Sequence, residues 1–326
     1  MKVFILHSGK ANYPEIGAYS DVLVKRGAEV FEGDVNAYSS FPFKSECVLW
    51  CIMGFYRVHE DARFIIHDYR SLSVRPFAAC KDWIKRVMNA KPDLRVFQNE
   101  RMREAMNFED KVPSILLPMG VPDWIFDSKE VDFTDDEDHS GGRFCYIGEM
   151  SRERGFDKVL AAWQASSWTR GDQFVLVGNP EPAIYKAFKN TAGLNFVGRV
   201  SQKDALKIVQ RSEYAVCYFP YHRPHCFQTP TKLLEYAALG KKIICNDSPS
   251  NKAAARELGI HAFMAGRSIF DKLPFEREEL PIKRNDPDKL RQLAWTPVIE
   301  ASGVLSYIHD AISVAVPRQP QCVKGS

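Results

Sequence analysis

No run in this chain of 326 residues is long and apolar enough to span a bilayer, which argues against an integral membrane protein. The opening stretch, Met1 to Gly9, reads as a strand and a turn, and it lacks the extended apolar core of a secretory leader. Charge of one sign is also scarce. Lys and Arg number 44 against 41 Asp and Glu, a net of +3 at pH 7, so no global field recruits nucleic acid, although local basic clusters remain open. The 8 cysteines are scattered, and Cys51, Cys145, Cys217 and Cys245 sit inside apolar runs. That pattern is one of reduced core residues in a cytoplasmic protein, not of a disulfide framework. A metal motif is missing too. Asp135, Asp136 and Asp138 fall in an acidic break that reads as a solvated loop. His222, His225 and Cys226 lie close together but match no zinc spacing, and Pro224 interrupts them. No metal and no resident cofactor are expected.

What is present is ample apolar material: hydrophobic residues make up 45% and charged residues 26%, enough for two cores in a chain of this length. In the first part, strands are expected at 3–6, 28–31, 48–53, 63–68, 94–98 and 114–117, with helices at 16–25 and 78–88. An acidic, weakly hydrophobic break follows, from Asp132 to Gly142. The alternation then restarts, with strands near 143–147, 173–177, 194–197, 214–218 and 242–245. Helices are expected at 156–163, 183–190, 203–211 and 231–239, and a mostly helical tail from about 287 to 316. Alternating strands and helices imply parallel sheets with crossover helices. The expected plan is α/β, with two Rossmann-like doubly wound domains facing a central cleft. Its boundaries are 1–130, an acidic linker at 131–142, 143–300, and a helix and tail at 301–326. Ligands are expected at the carboxyl ends of the strands.

The most informative stretch runs from Gln228 to Asn246. Thr229 suits a helix N-cap, Pro230 the first helical position, and Gly240 the left-handed residue that closes the helix before a buried strand. Leu233, Leu234, Ala237 and Ala238 form an apolar stripe, while Lys232 and Glu235 share the other face. Free amides beside a lysine favour a phosphate, and a carboxylate one turn on can accept hydrogen bonds from ribose hydroxyls. The plainer reading is an amphipathic helix with a surface Lys–Glu pair, worth a few tenths of a kcal/mol.

Four segments then occur in order: Tyr146-Ile-Gly-Glu-Met-Ser-Arg-Glu-Arg-Gly-Phe-Asp-Lys-Val-Leu160, Phe174-Val-Leu-Val-Gly-Asn-Pro180, Asn195-Phe-Val-Gly-Arg-Val-Ser201 with Tyr214 to Pro220, and Pro230 to Gly240. Together they resemble the donor-binding half of the nucleotide-sugar glycosyltransferases of the GT-B fold, the large retaining branch called family 4 or group 1. The resemblance implies a donor domain at 143–300 and an acceptor-side domain at 1–130. Glu235 would hold the ribose, and Arg154, at the place of the family lysine, would neutralise the diphosphate. Gly148 and Gly178 would admit the donor, and Lys232 with the amides of Thr229 to Thr231 would meet the distal phosphate and the sugar. Two positions depart from the family pattern. Glu149 stands where an arginine is usual, with Arg152 a substitute that could reach in. Phe227 replaces a glutamate eight positions before Glu235.

In the first half, Gly9 and Lys10 could form a loop under the donor phosphates. His67 could touch the sugar or its phosphate, the alternative being a hydrogen-bonded histidine at a strand end. Asp68, Arg70, Tyr56 and Arg57 are candidates for acceptor contact. The segment 78–88 mixes Lys81, Lys85 and Arg86 with Trp83 and Ile84. It could rest on an anionic membrane and meet a lipid-linked acceptor, but a core helix with a solvated basic face is the preferred reading.

The resemblance implies a retaining, metal-independent transferase that moves a sugar from a UDP- or GDP-sugar to a saccharide, glycan or lipid-linked acceptor. Fixed positive groups would stabilise the leaving diphosphate. Arg154, Lys232 and His67 would be the catalytic set, with the enzyme in the cytoplasm or at the inner face of the membrane. Three alternatives share the fold: a sugar-nucleotide epimerase, a nucleotide-sugar-binding protein without transfer, and a transferase acting on DNA, which the charge balance disfavours.

Overall fold

Runs such as Cys47–Ile52 and Phe64–Tyr69 are buried at every position, as expected where crossover helices cover both faces of a parallel sheet. The computed structural model describes residues 1–9, 13–52, 54, 61–127, 141–273 and 280–314. Lys10, Tyr56, Arg57, nearly all of the expected acidic linker with Asp135, Asp136 and Asp138, and the last residues of the tail lie outside the described residues.

In chain order the elements are β1 (Lys2–Leu6), α1 (Pro14–Lys25), β2 (Glu29–Gly33), α2 (Val35–Ser39), β3 (Cys47–Ile52), β4 (Phe64–Tyr69), α3 (Ala78–Met88), β5 (Leu94–Phe97), α4 (Glu100–Met106) and β6 (Ser114–Leu116). Then follow β7 (Phe144–Ile147), α5 (Phe156–Ala165), β8 (Phe174–Val177), α6 (Pro182–Phe188), β9 (Leu194–Gly198), α7 (Gln202–Arg211), β10 (Tyr214–Cys217), α8 (Thr231–Ala238), β11 (Lys242–Cys245), α9 (Pro249–Glu257) and β12 (Phe263–Met264). Helices α10 (Trp295–Ala301) and α11 (Val304–Val314) end the described chain.

Two parallel six-stranded sheets result, ordered β2-β1-β3-β4-β5-β6 and β12-β11-β10-β7-β8-β9. In each, the chain moves outward from its first strand and then returns to that strand's other side. Such a reversal opens a crevice at the carboxyl ends of the two strands flanking it. The crevices fall at β1/β3 in one unit and at β7/β10 in the other. Aromatic side chains fill the second core: Phe270 lies 5.0 Å from both Trp163 and Phe174 and 5.3 Å from Phe144, ring centre to ring centre.

The units do not divide where the sequence suggests. The first comprises Met1–Gly120 and Trp295–Ser326, and the second Val121–Ala294. The terminal helices therefore belong to the first unit instead of forming a separate tail. The Arg26 guanidinium meets Glu300 at 2.7 Å, Arg63 donates to the Ile312 carbonyl at 2.8 Å, and Trp295 lies edge-on to Tyr19 at 6.1 Å. Val121 enters the second unit by donating its N–H to the Leu293 carbonyl at 2.9 Å. These partners are remote in sequence, so no local pattern announces them.

Helix α3 also departs from expectation. Asp82 is its buried residue, while Trp83, Val87 and Met88 are exposed, so it is not a core helix. No helix among the described residues is long and apolar enough to cross a membrane.

Candidate functional site

The reversal in the second sheet places the turn after β7 beside the connection from β10 to α8. Gly148 occupies that turn at φ +131°, and its N–H donates to the Val177 carbonyl at 2.8 Å. A β-carbon on Gly148 would lie 2.2 Å from Lys232 Cε and 2.5 Å from its Nζ. Only glycine lets the lysine lie across this turn. Gly178, after β8, has φ +132°, and a β-carbon there would come 2.2 Å from the Gly148 carbonyl oxygen. The two glycine turns are thus stacked one on the other. The Lys232 ammonium sits 5.5 Å from the centre of the Tyr146 ring. Burial, and secondarily the positive charge of Arg154, pull its pKa below the usual lysine value.

Helix α8 supplies Lys232 and Glu235. Its N-cap is Pro230, extended at φ −71° and ψ 102°, with no side-chain cap bond. The helix therefore starts one residue later than the expected Thr229 cap with Pro230 at the first helical position. The reason is that the Pro230 carbonyl itself closes the first turn, accepting from the Leu233 N–H at 3.0 Å. The leading amides of a helix have no intrahelical acceptor, and here they belong to Thr231 and Lys232. At the other end Gly240, at φ +69°, donates to the Ala237 carbonyl at 2.9 Å, and Lys241 donates to the Tyr236 carbonyl at 3.0 Å. This is the paired C-terminal motif that the glycine makes available.

Every residue from Leu233 to Ala238 is buried, which rules out an ordinary surface helix. Glu235 is buried with them, and its Oε1 accepts from Gln202 Nε2 at 2.6 Å. Burial raises its pKa, and the Gln202 bond and the charge of Lys232 oppose that shift. A buried carboxylate is costly unless hydrogen-bonded, so this position is tuned for donors beyond packing.

Arg154 lies half-buried on the turn between β7 and α5, its Nε 2.9 Å from Glu149 Oε2. Its backbone is anchored by the Tyr218 hydroxyl, which donates to the Arg154 carbonyl at 3.0 Å. The side chain that departs from the family pattern, Glu149, thus sits on the cation expected to receive a diphosphate. Arg152 is exposed and held through its backbone N–H to Glu181 Oε2 at 2.8 Å. No contact among the described residues joins it to the Gly148–Lys232–Arg154 cluster. Thr229 and Thr231 are half-buried at the start of α8.

Three further residues join the site: Tyr146, which opens the first of the four segments, His225, which stands in the sequence only beside His222 and Cys226, and Gln202, which no motif marks. Burial and the charge of Arg154 hold the His225 imidazole down to about 4, and its Nδ1 lies 3.1 Å from Gln228 Oε1. It is therefore neutral at ordinary pH. No group of three His, Cys, Asp or Glu able to hold a metal occurs among the described residues.

The first unit corrects three expectations. His67 does not end its strand, because β4 continues to Tyr69. It pairs in register with Cys51 of β3 and Arg95 of β5 and is buried, so it presents no surface to a sugar. Asp68 and Arg70 are buried as well, on the other face. The Asp68 carboxylate accepts from Tyr19 Oη and Trp50 Nε1 at 3.0 Å each and from Arg70 Nε at 2.7 Å, while Arg70 also donates to the Leu117 carbonyl at 2.7 Å. Two ions taken out of water need this many partners, and here they hold the core instead of an acceptor. Glu15 joins the same patch, its pKa raised by burial. Gly9 follows β1 at the first unit's crevice, exposed, with φ +67° and its N–H donating to His7 Nδ1 at 3.2 Å.

Residues 141–267 match the family model described as Glycosyl transferases group 1. No curated protein sequence matches the chain. Among solved structures, it resembles a glycosyltransferase involved in avilamycin A biosynthesis at 13% identity, over 96% of this chain and 98% of that one, with a TM-score of 0.58. Sucrose-phosphate synthase from Thermosynechococcus elongatus is similar at 11% identity, over 95% and 99%, with a TM-score of 0.61. Anabaena HepE in complex with UDP-glucose is similar at 10% identity, over 96% and 98%, with a TM-score of 0.57. The fold is the one these proteins share, two Rossmann-like α/β units of the GT-B type.

Proposed function

We propose, from the premise that residues 141–267 form a group 1 glycosyl transferase domain and that the chain is a glycosyltransferase, that it is a retaining, metal-independent enzyme. It takes a sugar from a UDP- or GDP-sugar and passes it to a saccharide, glycan or lipid-linked acceptor. A cytoplasmic location, at the inner face of the membrane when the acceptor is lipid-linked, belongs to the same reading. One observation carries it: Lys232 lies across the Gly148 turn at the β7/β10 reversal, with Arg154 close by and Glu235 one helical turn further on.

In this reading the diphosphate lies against the turns of Gly148 and Gly178. It accepts from the leading amides of α8 and is flanked by Lys232 and Arg154, while Thr229 and Thr231 face its distal end. As the anomeric bond loosens, negative charge grows on the leaving phosphate, and both cations are already fixed around it. A dianion beside Lys232 also restores the ammonium that burial disfavours. The Glu235 carboxylate takes hydrogen bonds from the ribose hydroxyls, sharing or exchanging the one from Gln202. Similarity in fold to a protein that holds UDP-glucose supports a nucleotide-sugar donor.

Glu235→Ala is expected to weaken UDP or GDP binding by about tenfold to a hundredfold, the loss of one or two hydrogen bonds to a charged acceptor. Titration calorimetry measures it. A wild-type protein that neither binds nor hydrolyses any nucleotide sugar would falsify the reading. Glu149→Gln should act in the opposite sense. It frees Arg154 from a partly exposed ion pair worth at most about 1 kcal/mol, so diphosphate affinity rises by up to about fivefold. Unchanged or weaker affinity would mean that Glu149 does not compete for this cation.

The Glu149–Arg154 pair also favours a second reading, a nucleotide-sugar-binding protein without transfer. Tight binding of UDP or GDP by calorimetry, with no turnover for any acceptor, would select it.

A further inference from the structure

We infer that α3 and the segment leading into it form a docking surface for an anionic lipid bilayer. The patch is unusual for its concentration of exposed apolar side chains within one short stretch: Val74 57%, Phe77 80%, Trp83 54%, Val87 62% and Met88 45% exposed. Trp83 and Val87 are four apart and share one face of α3, the face away from the buried Asp82. Phe77, the N-cap of α3, is held at φ +59° and ψ 35°. A bulky residue in the left-handed region is strained; the Phe77 carbonyl closes the first turn of α3, accepting from the Lys81 N–H at 2.9 Å, while its ring lies in solvent.

The exposed charges that this segment itself carries are of one sign. From residue 71 to 92 the chain carries Arg75, Lys81, Lys85, Arg86 and Lys91 against the single acid Asp82. Asp82 is buried and spent, its Oδ1 accepting from the Ser73 N–H at 3.0 Å. Arg75, Lys81 and Lys91 are exposed. Exposed apolar side chains interspersed with cations, with a tryptophan among them, are the composition that enters the headgroup region of an anionic membrane. A second copy of the chain would set like charges against each other on this face, and a protein partner would need acids that the patch does not itself supply. The segment also leaves the carboxyl end of β4, the edge where a parallel sheet receives its ligands. If the transfer reading holds, a lipid-linked acceptor would arrive at that edge. The membrane contact itself does not depend on it.

The test is co-sedimentation of the full chain with vesicles of phosphatidylcholine containing phosphatidylglycerol, against phosphatidylcholine alone. The wild type should bind the anionic vesicles at least about tenfold more tightly. Trp83→Ser combined with Val87→Ser should lose about tenfold or more of that binding, and Arg75→Glu with Lys81→Glu should abolish the preference for anionic lipid. All four positions are exposed, so thermal unfolding and nucleotide-sugar binding should be unchanged, which separates failure here from failure of the transferase reading. The inference is overturned if the wild type ignores anionic vesicles or if the variants bind as well as it does. It is also overturned if the serine pair converts a dimer to a monomer in sedimentation velocity.

Discussion

Replacing Lys232 by methionine is expected to lower the rate of sugar transfer by about a hundredfold to a thousandfold, the usual loss when one fixed group facing developing charge is removed. Methionine keeps the unbranched stem that crosses Gly148 and packs beside Tyr146, so the substitution deletes the charge and little else. Initial rates with saturating acceptor measure the effect. A change below about threefold would remove Lys232 from the chemistry. The wild-type pH profile carries a second signature of the same residue. Because burial and Arg154 lower the Lys232 pKa, the free protein loses this proton at a lower pH than an ordinary lysine does. Donor affinity should then decline on the alkaline side as pH rises through that lowered value, and bound diphosphate should move the decline to higher pH. In Lys232→Met the alkaline decline disappears.

Alanine at Gly178 is expected to cost about 3 kcal/mol or more of stability. Two penalties coincide there. The backbone sits at φ +132°, and the new methyl would lie 2.2 Å from the Gly148 carbonyl oxygen, a main-chain atom with no rotamer to retreat into. Relief requires Gly148 to shift, which displaces the turn under Lys232, so the surviving folded protein should also bind donor more weakly. Gly198→Ala is the internal control. It shares the positive φ, at +88°, but meets nothing within 4 Å, and it should pay about 1–2 kcal/mol of backbone strain alone. Denaturant unfolding of both variants checks the comparison. Equal losses would show that the close approach to Gly148 contributes nothing.

The alternation of apolar runs with amphipathic segments was enough to read two parallel α/β sheets, because strands buried on both faces have a composition that nothing else in the chain shares. The turns of the second unit were legible for a similar reason: Gly148, Gly178 and Gly240 mark backbone conformations that other residues resist, and each glycine occupies such a position. The first half misled. His67, Asp68 and Arg70 look like a polar strand end with chemistry to perform, yet β4 runs on through His67 and Asp68 to Tyr69, and all three side chains are buried. Whether a polar residue ends a strand or lies within it depends on where neighbouring strands stop pairing, which is a tertiary fact. The same holds for α3, whose mixed composition reads as a core helix although its large apolar residues face solvent. Gln202 carried no signal, and His225 pointed only toward a metal beside His222 and Cys226, because their importance is proximity to Glu235 and Arg154 across the fold, not spacing along the chain.

The return of Trp295–Ser326 to the unit that begins at Met1 has a consequence for biosynthesis. Domains generally fold as units during synthesis, the N-terminal one first. Here the order is inverted: residues 121–294 can leave the ribosome complete while the β-sheet begun at Lys2 still waits for its closing helices. A released chain truncated after Ala294 should therefore resist protease across its second half and be cut readily in its first.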